Sequence, residues 1–137
     1  MLKRIKKYNI YKNNNLNQKI MHEITIYSKQ NKKYIKLECA SSFLKKLLGL
    51  MGKKRFDGLI FKQRYGNRFL SSIHTCFMRM PIDLIYINRE MYVQETITLN
   101  PWKIYLPKKG NIKYIIELPK GSINKYDISL HTKISIE

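Results

Sequence analysis

Acidic residues are scarce in this chain. It has 9 Asp and Glu against 27 Lys and Arg, a formal net charge of +18 over 137 residues. Long apolar runs are also missing. None approaches the ~20 residues needed to span a bilayer as a helix. The basic N-terminus is not followed by an apolar stretch or a small-residue cleavage site, which argues against secretion by a standard signal. Only two cysteines, Cys39 and Cys76, are present. That is too few for a disulfide scaffold and fits free thiols in the cytoplasm. No internal repeat, Gly-rich phosphate loop, Ser-His-Asp pattern or paired-carboxylate motif is visible, and no cofactor is implied.

What is present suits one domain. The length allows a single adequate core, and an apolar fraction of 44% is ordinary for a globular protein. The charge favours an anionic partner such as RNA, another nucleic acid or an acidic surface. A second explanation is compositional. Abundant Ile, Asn, Tyr and Lys is what AT-rich coding DNA produces, and both explanations stand at this point.

The chain divides near residue 20. Residues 1–20 carry six Lys or Arg, no acid, and an Asn cluster at Asn13-Asn14-Asn15. They read as a basic arm ahead of a single domain over 21–137. Ile24 and Ile26, then Ile35 and Leu37, alternate with polar residues and predict a hairpin turning at Gln30–Lys33. Ser41 or Ser42 can cap a short helix carrying Phe43, Leu44, Leu47 and Leu48, ended by Gly49 or Gly52. Strands are predicted at Leu59–Phe61, Ile73–Met78, Ile82–Ile87, Met91–Leu99, Ile112–Leu118 and Lys133–Ile136. Trp102, in a loop between Pro101 and Pro107, is expected to plug one end of the fold. Many short strands and one short helix predict a mainly β, small β-barrel-like or sandwich domain.

Candidate chemistry is thin. His74 and Cys76, two apart in a predicted strand, would point the same way. Both can ligate soft metals, but no spacing supplies the remaining ligands of a zinc site, so no metal is assigned. As a nucleophilic pair they would stand about 7 Å apart along a strand, too far for direct activation. Asp83 lies inside an apolar strand and must be paired or hydrogen-bonded. Arg79 is its candidate partner, and a structural carboxylate holding a turn through backbone N–H groups is the other reading. Arg64, Arg68 and Arg79 mix with Tyr65 and Phe69 in a way that suits phosphate contact with base stacking. Lys53, Lys54 and Arg55 add to the anion-binding candidates.

Five motifs occur in order: Gly49-Leu50-Met51-Gly52, Gly58-Leu59-Ile60-Phe61, the block Ile73–Asp83, Pro101-Trp102, and Glu117-Leu118-Pro119-Lys120-Gly121. Together they resemble the uncharacterised DUF192 (UPF0127) family over roughly residues 39–136. The resemblance implies a β-barrel-like fold with little helix and no established activity, cofactor or partner. By analogy, His74, Met78, Arg79, Asp83 and Glu117 would surround a shared pocket. Two departures stand out. His131-Thr132 replaces a Gly-Asp common in the family, which argues against a positive dihedral in the final turn. Leu70-Ser71-Ser72 lacks the cysteine that often precedes the Ile-His-Thr block.

The expected function is a non-enzymatic binding domain with a cationic surface for an anionic partner such as RNA. A small-ligand or enzymatic domain with a polar pocket near His74, Asp83 and Glu117 is the alternative. A module whose edge strands dock another protein is a third possibility.

Overall fold

A computed structural model describes residues 20–39 and 57–137. The basic arm, apart from Ile20, the predicted helix after Ser41, and Lys53, Lys54 and Arg55 lie outside the described residues.

The fold is mainly β. Strands β1 (Met21–Tyr27) and β2 (Lys32–Cys39) form the expected hairpin. Its turn comes earlier than predicted, because Ser28 closes on Asn31 through both its amide and its hydroxyl. Strand β3 (Leu59–Lys62) runs parallel to β2 and antiparallel to β8 (Ile112–Pro119). Gly58, at φ 128, lets β3 start tightly. A Cβ there would sit 2.7 Å from both Leu37 and Leu118 side chains. Strands β5 (Ile82–Asn88) and β6 (Val93–Leu99) form a second hairpin. Strand β9 (Lys133–Ile136) adds to β1.

These seven strands make one sheet, ordered β6-β5-β8-β3-β2-β1-β9. Its outer strands approach at one end. Val93 N donates to Thr132 O, His131 N to Val93 O, and Ile134 N to Met91 O. The sheet curls without closing into a barrel. Strands β4 (Ile73–His74) and β7 (Ile104–Tyr105) pair as a separate two-stranded ribbon. A short helix, α1 (Ser122–Lys125), follows β8. Among the described residues no helix is long and apolar enough to cross a membrane.

Two apolar clusters hold the domain. One lies inside the curl and joins Ile24, Ile26, Leu37, Ile60, Ile85, Ile87, Ile116, Leu118 and Ile134. The other joins Ile73, Met78, Ile82, Leu84, Tyr86, Leu99, Ile112 and Ile115 on the opposite face. Each fully buried Ile or Leu contributes about 2 kcal/mol. Strand β5 feeds both clusters, so Ile82 through Ile87 are all buried. Such a doubly covered strand has apolar residues on both parities, and Asp83 is its one charged member.

Candidate functional site

Asp83 is 1% exposed, on the face that carries Ile85 and Ile87. Its Oδ1 accepts from Thr98 Oγ1 at 2.7 Å. Its Oδ2 accepts from the amides of Gly121 at 3.1 Å and Ile123 at 2.9 Å. The carboxylate thus ties β5 to β6 and pins the turn into α1. Arg79, its candidate partner, is exposed, and the carboxylate is held by these three donors. Glu117 pairs in register with Leu84, so it stands on the other face of the sheet. The expected pocket residues are therefore divided. Met78 packs in the outer cluster, His74 is half-buried on the ribbon opposite Ile104, and Asp83 and Glu117 face apart.

The outer face holds a polar cluster that the sequence reading missed. Tyr86 pairs in register with Glu95, and both are buried. Tyr105 on the ribbon donates its hydroxyl to Glu95 Oε1, while Glu95 Oε2 accepts from the Lys108 amide at 3.0 Å. Tyr86 donates to the Ser71 carbonyl at 3.2 Å. Burial raises the Tyr86 phenol well above its ordinary range, helped by the charges of Glu95, Tyr105 and Glu117. Tyr105 is pushed up to about 12, first by desolvation and then by its bond to Glu95. A signal existed in the sequence. Glu95 shares the parity of Ile97 and Leu99, the buried side of β6. The register shift beside Tyr86 and Ile87 places Val93 in the inner cluster although it shares that parity, so parity alone does not tell which face a β6 residue joins.

The predicted strand over Ile73–Met78 ends after His74. Thr75 is fully buried and turns the chain. Its Oγ1 donates to Asn100 O at 2.6 Å and accepts from Lys103 N at 3.0 Å. Its backbone bonds Lys103 O, Trp102 N and Met78 N. This hub places both Phe77 (φ 64) and Trp102 (φ 62) in the left-handed region. The parallel orientation expected of His74 and Cys76 does not hold, since they are no longer on one strand. Trp102 is not a plug. It is 61% exposed, and its ring centroid lies 4.6 Å from that of Phe77, itself 54% exposed. His131 also takes φ 67, so the final turn keeps a positive dihedral without glycine. Cys39 and Cys76 are free and half-buried. Among the described residues no three His, Cys, Asp or Glu side chains group as metal ligands.

Arg64 and Arg68 lie in the β3–β4 loop, which is bonded to the β7–β8 loop at Pro107 and to the start of β8. Arg68 Nε donates to Pro107 O at 2.9 Å, Gln63 N to Lys113 O at 2.7 Å, and Ile112 N to Gly66 O at 3.3 Å. The Arg89 guanidinium, from the β5–β6 turn, reaches Gly66. Arg64 lies over the Tyr65 ring at 5.5 Å and Arg68 over Phe69 at 5.4 Å. Lys108 and Lys109 are exposed on the second loop. Glu90 is the nearby exposed acid and is bonded by Asn111 Nδ2.

The DUF192 family model (Uncharacterized ACR, COG1430) matches residues 24–136. This chain belongs to the DUF192 family. A UPF0127 protein of Pyrococcus furiosus is 36% identical over 100 residues, 73% of this chain and 85% of that protein. A UPF0127 protein of Pyrococcus abyssi is 42% identical over 86 residues, 63% of this chain and 73% of that protein. A "putative transcription regulator" from Sinorhizobium meliloti 1021 has a related solved structure. Its TM-score is 0.73 at 14% identity, covering 85% of this chain and 94% of that one, a likeness of fold alone. The family match begins at the β1–β2 hairpin, so this DUF192 domain includes the hairpin as well as the five motifs.

Proposed function

We propose that this DUF192 domain is a non-enzymatic, cytoplasmic binding domain that holds RNA or a similar nucleic acid on its cationic loops. One observation carries the reading: Arg64, Arg68, Lys108 and Lys109 come from two loops joined by the bond from Arg68 to the Pro107 carbonyl. Cations fixed on joined loops lose less freedom on binding phosphate than cations on independent tails. Exposed Tyr65 and Phe69 beside them add aromatic surface for bases. The overall charge of +18 would speed encounter with a polyanion.

The alternative, a small-ligand or enzymatic pocket near His74, Asp83 and Glu117, draws less support. Asp83 already accepts three hydrogen bonds and faces away from Glu117. The test is fluorescence anisotropy with single-stranded RNA across a salt series. Affinity should fall steeply, with about 0.7 in the log–log slope for each phosphate contact. A flat salt dependence, or no binding at low salt, would sink the proposal.

A further inference from the structure

The Phe77–Trp102 pair is costly to build. Each bulky residue in the left-handed region forfeits about 1–2 kcal/mol. Both rings are then left more than half exposed rather than buried, and Ile104, two residues after Trp102, is 76% exposed on the ribbon. The pair is not a loose accident. Thr75, fully buried, fixes both loops through its hydroxyl and its backbone, and the rings touch at an interplanar angle of 58°. Strain held by a buried hydrogen-bond hub, with aromatic faces turned outward, is the arrangement expected of a binding platform.

The surrounding charge identifies the occupant. Arg79 and Lys103 flank the two rings in sequence and are both exposed. No acidic residue occurs in residues 74–82 or 96–111. The chain from Trp102 runs through β7 to Lys108, at most about 20 Å of extended backbone. Exposed aromatic ring faces, flanked by cations and in segments free of acids, suit a nucleobase carried on a phosphate backbone. Bases inside a duplex are stacked on one another and cannot offer a face, so the partner is single-stranded.

We propose that Phe77 and Trp102 form a base-stacking platform, and that the nucleic acid held by the cationic loops is single-stranded. The inference rests on the polyanion-binding reading and adds a site to it. Trp102 is the sole tryptophan, so its emission reports the platform directly. The full chain is titrated with a short single-stranded RNA and, separately, with heparin, which has charge but no bases. Phe77→Gly and Trp102→Gly suit the positive dihedrals and are checked for folding by circular dichroism. The RNA should quench Trp102. Each variant should bind it about tenfold more weakly while keeping its heparin affinity. If RNA binds without quenching and both variants bind it like the parent, the platform is refuted and the charge reading survives. Failure to bind either polyanion overturns both. Loss of RNA and heparin binding together, or burial of Trp102 through self-association without RNA quenching, counts against the platform alone.

Discussion

Asp83 and Thr75 are both buried polar residues that organise neighbouring loops, yet they serve opposite ends. Asp83 spends its hydrogen bonds on Thr98 and the turn into α1, beside the inner core. Thr75 spends its bonds on two loops that turn Phe77 and Trp102 out into solvent. A buried hydrogen-bond hub therefore does not mark a functional site by itself. What the hub displays separates a structural knot from a candidate platform.

The contrast can be broken by substitution, and Asp83→Ala should do the most damage. It leaves the Gly121 and Ile123 amides and the Thr98 hydroxyl, all part-buried, without their acceptor, and should cost about 3 kcal/mol in urea unfolding. A cost under about 1 kcal/mol would mean the turn into α1 stands without it.

Tyr105→Phe comes next, at about 2 kcal/mol, because it removes the donor to the buried Glu95 carboxylate. Its pH signature has a definite sign. The folded state raises the Tyr105 pKa from 10.0 to about 12, favouring the neutral phenol. That stabilisation is complete below pH 10 and is lost as pH rises through 12. Denaturation midpoints between those limits should fall less steeply in Tyr105→Phe than in the parent.

Thr75→Val keeps shape but loses the hydroxyl bonds to Asn100 and Lys103, at about 1–2 kcal/mol. Trp102 emission should also change as its loop loosens. An unaltered spectrum would mean the backbone bonds alone hold the platform. Trp102→Gly should have the smallest effect on stability, with thermal melting unchanged or raised, since glycine relieves the positive φ. A drop as large as that of Asp83→Ala would return Trp102 to the role of a plug.

The parts of the fold legible in the sequence are those with clean alternation or a bounded apolar run. The β1–β2 hairpin and β9 show Ile and Leu at every second position, and β3, β5 and β8 show short runs rich in Ile and Leu. The run Ile73–Met78 looked like one strand because its side chains favour strands, whereas the Thr75 hydroxyl draws the backbone into a turn. Helix α1 spans only Ser122–Lys125, too short to show a helical period. Ribbon strand β7 was hidden between Pro101 and Pro107. At the candidate site, Arg64 and Arg68 were legible as cations beside aromatics. Their union with Lys108 and Lys109 depends on hydrogen bonds between distant segments, which local spacing does not encode.

The central claim is that the joined loops, rather than charge spread over the whole chain, hold the polyanion. Two variants of equal charge loss decide it. Arg64→Ala/Lys108→Ala/Lys109→Ala strips the loops, and Lys29→Ala/Lys32→Ala/Lys36→Ala strips the β1–β2 hairpin. Binding of single-stranded RNA is measured for each across the same salt series. The account predicts that the loop variant lowers the log–log salt slope by about 2 while the hairpin variant lowers it by less than about 0.7. Equal losses in the two variants would contradict it and assign binding to charge spread over the whole chain.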